Sequence, residues 1–228
     1  MKGNLCIIPA RGGSKRIPKK NIKDFLGKPI ISYILETVRS ANIFDEVMVS
    51  TDDQEIKDIV NSLGAKTPFL RSASTSNDLA PTISVVNEVL DFYADQNLRF
   101  KNIFIIYPTA VFTTTKMILD GFDLLSSFES VTPVAQFNPS IWRGFRIIDN
   151  QLKFIWPDNE FIRTQDLEAN YYDVGQWYWI QNIEKPHCSL IKPNAGAYII
   201  ESSTAQDIDT LNDWNIAEEK YKRLFKNV

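Results

Sequence analysis

The sequence predicts an α/β fold: a mostly parallel sheet with helices on both faces, followed by a small β-rich insertion over residues 138–172. Apolar runs of strand length alternate with stretches of helical period as far as Phe137, a pattern that requires crossover connections and hence parallel strands. From Trp142 the alternation gives way to an aromatic-rich hairpin pattern. A chain of 228 residues with 44% hydrophobic and 23% charged residues buries a full core as a single domain, 1–228, without help from disulfides or metals.

The first strand belongs to an apolar run opening at Cys6, and the chain then crosses a glycine-containing loop and returns to apolar sequence at Pro29, a residue suited to the first helical position. A helix is expected over 29–41, where Ile30, Ile31, Ile34, Leu35 and Val38 share one face. Residues 46–50 read as a strand. Asp52 or Asp53 then suits the cap of a helix over 54–63, which Gly64 ends. A short strand over 65–70, a polar loop over 72–78, a helix over 81–95 and an apolar strand over 103–106 come next, then a helix over 117–128 and a strand over 130–137. Residues 142–148 and 152–156 pair across Asp149-Asn150 as a hairpin. Its Trp142, Phe145, Phe154 and Trp156, with Phe161 beyond, are more aromatic surface than one hairpin buries alone. A strand over 197–201 and a helix over 213–225 close the chain.

The loop after the first strand carries the strongest chemical signal. Between Arg11 and Asp24 it holds Arg11, Lys15, Arg16, Lys19, Lys20 and Lys23 against one acid, although the net charge of the chain is -3. Gly12 and Gly13 let backbone N–H groups approach a ligand without a Cβ in the way, and donors beside fixed cations suit a polyphosphate. The loop matches neither the Walker pattern nor the three-glycine dinucleotide fingerprint, which disfavours an ATPase or a dehydrogenase. A solvated basic face or a nucleic-acid patch is the alternative reading, and the loop's place directly after a buried strand argues against it. Further on, Asp207 and Asp209 alternate, so both carboxylates can face one cation; Mg2+ accepts one or two carboxylates plus phosphate oxygens and water. Aspartates before a helix also serve as caps.

The run IPARGGSKRIPKKNI, residues 8–22, resembles the N-terminal signature of the cytidylyltransferases that activate nonulosonic acids, the family of the CMP-sialic acid synthetases. The resemblance implies a Rossmann-like sheet of the nucleotide-diphospho-sugar transferase type. It also implies CTP-binding roles for Ala10, Arg11, Gly12, Gly13, Ser14, Lys15, Lys20 and Asn21. Asp52, in the Ser-Thr-Asp at a strand end, is a secondary candidate near the nucleotide. Arg71 matches the family's nucleotide-contacting arginine, although Ser72 replaces the usual proline after it, and Thr82 stands where the family has a small hydroxyl residue near the ligand.

Tyr107 replaces a glutamine that helps hold the sugar in sialic acid enzymes, which points away from N-acetylneuraminic acid. The segment RTQDLE followed by YYDVGQWYW is similar to that of the branch acting on pseudaminic acid. Arg163 is the candidate for the acceptor's carboxylate, because a guanidinium can make two parallel hydrogen bonds to it. Asp173 and Gln176 are candidates for its acyl or hydroxyl groups, and Asp173 can alternatively brace a turn. The family's metal-binding Asp-x-Asp falls on Asp207 and Asp209, so Mg2+ is the implied cofactor. The insertion implies a homodimer; the alternative is a hairpin folded onto its own domain.

The implied reaction is attack of the acceptor's anomeric hydroxyl on the α-phosphate of CTP, with Arg11, Lys15, Lys20 and Asp209 as its catalytic groups. The nearest rival is the same chemistry on N-acetylneuraminic, legionaminic or ketodeoxyoctonic acid; a glycosyltransferase of similar fold is the second, and a nucleotide sensor or nucleic-acid binder the rival non-enzyme. Neither a nucleic acid nor a membrane is an expected partner: no apolar run approaches the roughly 20 residues of a membrane helix. Residues 1–5 are too short for a signal peptide, and Cys6 and Cys188 read as reduced thiols, so the expected location is cytoplasmic. The adjacent His187 and Cys188 match no metal or nucleophile spacing and read as loop residues.

Overall fold

A computed structural model of the chain describes residues 2–183 and 187–225. Strand β1 (Lys2–Pro9) runs into the basic loop, which ends in a short ribbon of β2 (Asp24–Phe25) and β3 (Lys28–Pro29). Helix α1 (Ile30–Ala41) follows at once, so Pro29 stands at its N-cap rather than inside its first turn. After β4 (Glu46–Ser50), Asp53 caps α2 (Gln54–Ser62) by accepting from the backbone N–H groups of Glu55 and Ile56. The strand expected over 65–70 does not form a ladder. Only single bridges, Met48 to Lys66 and Thr51 to Leu70, tie that segment to β4, since Pro68 between them has no N–H to give.

The polar loop contains one helical turn, α3 (Ala73–Ser76), and leads to α4 (Thr82–Asp95) and β5 (Phe100–Ile106). Helix α5 (Thr115–Leu124) starts and ends earlier than its apolar pattern suggests, because the Thr114 hydroxyl accepts from Met117 N and sets the first turn. Then comes β6 (Ser130–Gln136). Residues Ile141–Arg143 form a 3-10 turn instead of extending the hairpin, which is made of β7 (Phe145–Ile148) and β8 (Gln151–Phe154) around Asp149 and Asn150, both at positive φ. The chain closes with β9 (Tyr171–Asp173), β10 (Trp177–Gln181), β11 (Ala195–Ile199) and α6 (Leu211–Phe225).

The central sheet has seven strands, in the order β11-β6-β10-β5-β1-β4 with β9 also on β6. β1 is parallel to β4 and β5, and β11 to β6. The departure from the sequence pattern is β10, which enters antiparallel between β5 and β6. Alternate side chains divide the core. Cys6, Ile8, Phe104, Ile106, Trp177 and Trp179 pack with α1, α2 and α5 on one face. Leu5, Ile7, Ile103, Ile105, Tyr178 and Ile180 pack with α4 on the other. A third cluster joins Ile17 of the basic loop, Phe25, Tyr33, Phe112 and Ile208 to Trp214 of α6, and so fixes the last helix against that loop.

Candidate active site

The parallel strands β1, β4 and β5 end on one edge, and the antiparallel β10 begins there, with Trp177 opposite Ile106. At that edge of an open α/β sheet, loops rather than further strand pairings close over the strand ends. A cleft of about 290 Å³ opens at this edge. Its lining includes Arg11, Ser14, Lys15, Lys20, Asn21, Arg71, Thr82, Tyr107 and Asp209, residues from the first half of the chain joined by one from just before the last helix.

The basic loop is built to stay open. Ala10 is buried and extends the ladder by donating its N–H to Ser50 O at 2.8 Å. Gly12 N donates to Asp52 Oδ1 at 2.9 Å, and a Cβ on Gly12 would meet Asp53 Oδ2 at 2.5 Å, so no side chain fits there. The two adjacent aspartates therefore divide their work, Asp53 capping α2 and Asp52 holding the loop. Gly13 faces open space. The buried Asn21 donates from Nδ2 to Arg11 O at 2.9 Å and pins the loop's start to its end.

Charge in the cleft is organised in two clusters. Arg16 Nη2 lies 2.9 Å from Asp209 Oδ2 and Lys20 Nζ 3.3 Å from Asp209 Oδ1, while Lys20 also donates to Ile208 O at 2.7 Å. Asp209 is itself held by its backbone: its N–H donates to Asp213 Oδ2, which also accepts from Thr210 N and Thr210 Oγ1. Asp207 directly precedes the buried Ile208. Its carboxyl is pushed above the usual range, first by desolvation and then by the like charge of Asp209. In the second cluster Arg11 Nη1 meets Asp78 Oδ1 at 2.6 Å and Lys15 Nζ meets Asp78 Oδ2 at 2.5 Å. The sequence reading passed over Asp78 because it lies in an unpatterned polar loop; its signal is spatial, seven residues after Arg71 on the segment that arches back over Arg11.

Arg71 is buried, with Nε donating to Ser50 Oγ at 3.0 Å and Nη2 to Ser50 O at 2.5 Å. It thus fixes the loop that replaces the expected strand, and burial lowers its pKa while Asp52 and Glu88 oppose that shift. Thr82 Oγ1 and Tyr107 Oη lie 2.7 Å apart across the cleft wall, and burial raises the Tyr107 pKa.

Among the acceptor-side candidates, Asp173 accepts from Gly175 N at 2.8 Å and from Tyr178 Oη at 2.6 Å, the geometry of a brace for the turn between β9 and β10. Gly175 at φ +62 makes that turn. Gln176 is buried behind the cleft, donates from Nε2 to Thr204 O at 2.7 Å, and accepts the Tyr107 N–H on its backbone oxygen. Arg163 lies outside the cleft, exposed on the insertion and paired with Asp166 at 2.7 Å. Asp207, Asp173 and Gln176 are likewise not among the lining residues, although the charges of Asp173 and Asp207 both act on Tyr107.

Among the described residues no cluster of three or more His, Cys, Asp or Glu side chains is positioned to hold a metal ion. Asp207 and Asp209 nevertheless fit a hard divalent cation that completes its shell with phosphate oxygens and water: the donors are carboxylates, and the charge of Asp209 raises the cost of charge on Asp207. Also among the described residues, no helix is long and apolar enough to cross a membrane.

A glycine-opened basic loop at the strand ends of an open α/β sheet, facing a two-carboxylate segment, defines a nucleotidyltransferase. The chain belongs to the cytidylyltransferase family, whose profile matches residues 5–124. It is 35% identical to the pseudaminic acid cytidylyltransferase of Campylobacter jejuni over 228 residues, 96% of each chain. It is 28% identical to the CMP-N,N'-diacetyllegionaminic acid synthase of Legionella pneumophila, covering 94% of each. Among solved structures, a CMP:2-keto-3-deoxy-manno-octonic acid synthetase complexed with CTP shares the fold, with a TM-score of 0.68 at 15% identity over 97% of this chain and 99% of that one.

Proposed function

We propose that this chain transfers CMP from CTP to the anomeric hydroxyl of a nonulosonic acid, most specifically pseudaminic acid, and releases pyrophosphate to supply cell-surface or flagellar glycan synthesis. The observation that carries this reading is the convergence of Arg11, Lys15, Arg16 and Lys20 on one cleft at the strand ends, in a chain with a pseudaminic acid cytidylyltransferase as a 35% identical relative. The loop's cations bind the phosphates, so charge that builds on the leaving pyrophosphate meets fixed counter-charge without solvent reorganisation. Lys20, positioned by Ile208 O, links the phosphate loop to Asp209. Asp207 and Asp209 would hold Mg2+, which when bound would further neutralise phosphate oxygen charge. Tyr107, Thr82 and Gln176 shape the acceptor side, with Asp173 holding the turn that places Gln176.

The hairpin β7–β8 exposes Phe145, Ile147, Ile148 and Leu152, and Phe161 nearby is 91% exposed, which supports a homodimer formed through the insertion. In that dimer Arg163 serves the carboxylate of an acceptor bound to the second subunit. Light scattering of the purified protein is expected to give twice the mass of the 26.1 kDa chain, and a monomer at micromolar concentration would count against the assembly. The cytoplasm, where CTP is made, is the proposed location.

Pyrophosphate release measured with CTP, Mg2+ and, in parallel, pseudaminic, legionaminic, N-acetylneuraminic and ketodeoxyoctonic acids tests the function. Release with pseudaminic acid and not with the others is the expected result. Release with another acid alone would overturn the acceptor, and release with none would overturn the reaction.

A further inference from the structure

We propose that Asp78 is a displaceable counter-ion that sets the affinity of the cleft for phosphate: its carboxylate stands between Arg11 and Lys15 in the place that nucleotide phosphate oxygens take. The inference rests on the CTP reading above.

One carboxylate oxygen serves each cation, Oδ1 to Arg11 at 2.6 Å and Oδ2 to Lys15 at 2.5 Å, and all three residues line the cleft. A phosphate bridging the same two cations uses two oxygens in the same way. The loop that carries Asp78 is anchored at its base. Arg71 is tied to Ser50, Ser72 N donates to Glu88 Oε1 at 2.9 Å, and Thr75 Oγ1 also donates to Glu88. Near Asp78 the ties become local: Leu79 N donates to Asn77 Oδ1, and the Leu79 side chain is 92% exposed. The carboxylate is therefore brought over the cleft by a fixed base and held there mainly by the two cations it would have to give up.

Asp209 makes a useful contrast. It too meets two cations, but its backbone is clamped by Asp213 and flanked by the buried Ile208, so it has no comparable freedom to leave. Lys15 and then Arg11 hold the Asp78 carboxyl below its usual range, so the two cations favour its ionised form.

A bound triphosphate has to separate these pairs and then meets a nearby carboxylate of like charge. The same carboxylate re-pairs with Arg11 and Lys15 when pyrophosphate leaves, which shortens the stay of the product. Neutralising Asp78 removes both effects. Exposed ion pairs are individually weak, so binding of polyphosphate is expected to tighten roughly three- to tenfold. This sign matters, since a merely structural role for Asp78 would give weaker binding on substitution.

The test is calorimetric titration of CTP and of inorganic pyrophosphate, each with Mg2+, into the wild-type protein and the variants Asp78→Asn and Asp78→Ser. Asp95→Asn, at the end of α4 away from Thr82, controls for the general loss of one negative charge. The expected result is a three- to tenfold lower Kd for both ligands in both Asp78 variants and no change in the control. Unchanged or weaker binding in the Asp78 variants, or equal tightening in the control, would overturn the proposal. A wild-type protein that binds pyrophosphate but not CTP would instead overturn the cytidylyltransferase reading, and the pyrophosphate comparison would still decide the role of Asp78.

Discussion

Asp209→Ala is expected to lower turnover by about 10³-fold at saturating CTP and Mg2+, the scale seen when a group that stabilises developing charge is removed. The side chain meets Arg16 and Lys20 and stands beside Asp207, so its loss frees two phosphate-loop cations and halves the proposed metal ligand set. The fold should survive, because Asp209 is half-exposed and the cap of α6 depends on Asp213 and Thr210. Pyrophosphate release, with circular dichroism as the check on folding, measures the effect. Turnover within a few-fold of wild type would remove Asp209 from the catalytic groups.

The second large effect is on stability. Trp179 on β10 is fully buried, stacks on Phe44 at 5.5 Å, packs at a tilt against Phe104 at 4.6 Å, and donates from Nε1 to Ile118 O at 3.1 Å. Gly121 of α5 has no Cβ because one would meet Trp177 at 2.7 Å and Trp179 at 3.1 Å, so the helix lies directly on these rings. Trp179→Ala leaves a cavity that this close-packed layer cannot collapse into, at a cost of about 3–5 kcal/mol. For a chain of this size that corresponds to a Tm lower by roughly 10 °C. Denaturant titration and a thermal scan would show it, and a loss below about 1 kcal/mol would mean that the layer is looser than its geometry implies.

The sequence exposed those features whose physics is local. Asp149-Asn150 announced its hairpin because both residues tolerate positive φ, and the isoleucines of α1 announced a helix because their spacing is the period of the face they bury. The basic loop was legible because Gly12, Gly13 and its cations are contiguous. β10 was not. Trp177–Gln181 is buried on both faces and so shows no alternation, and its residues read as a ligand motif rather than as a strand. Residues 65–70 erred the other way: their apolar pattern suits a strand, but a ladder depends on backbone donors, which Pro68 lacks. Asp78 was hidden for a different reason. Its meaning lies in two cations more than sixty residues earlier in the chain, and no spacing in its own loop encodes them. Gln176 was legible as a candidate contact, but its anchorage was not: its side-chain amide ties to Thr204 and its backbone carries Tyr107, partners that no local spacing encodes.

The antiparallel entry of β10 also bears on how the protein is made. During synthesis β5 emerges with one side paired to β1 and the other an open apolar edge, since its remaining neighbour is encoded beyond the hairpin. An unpaired edge of this kind invites pairing with a strand from another chain. The sheet is therefore sealed in its middle and late. The nascent protein passes through a period in which its most buried surface is its most vulnerable, and the first half of the chain, for all that it carries the phosphate loop, cannot stand as a finished unit.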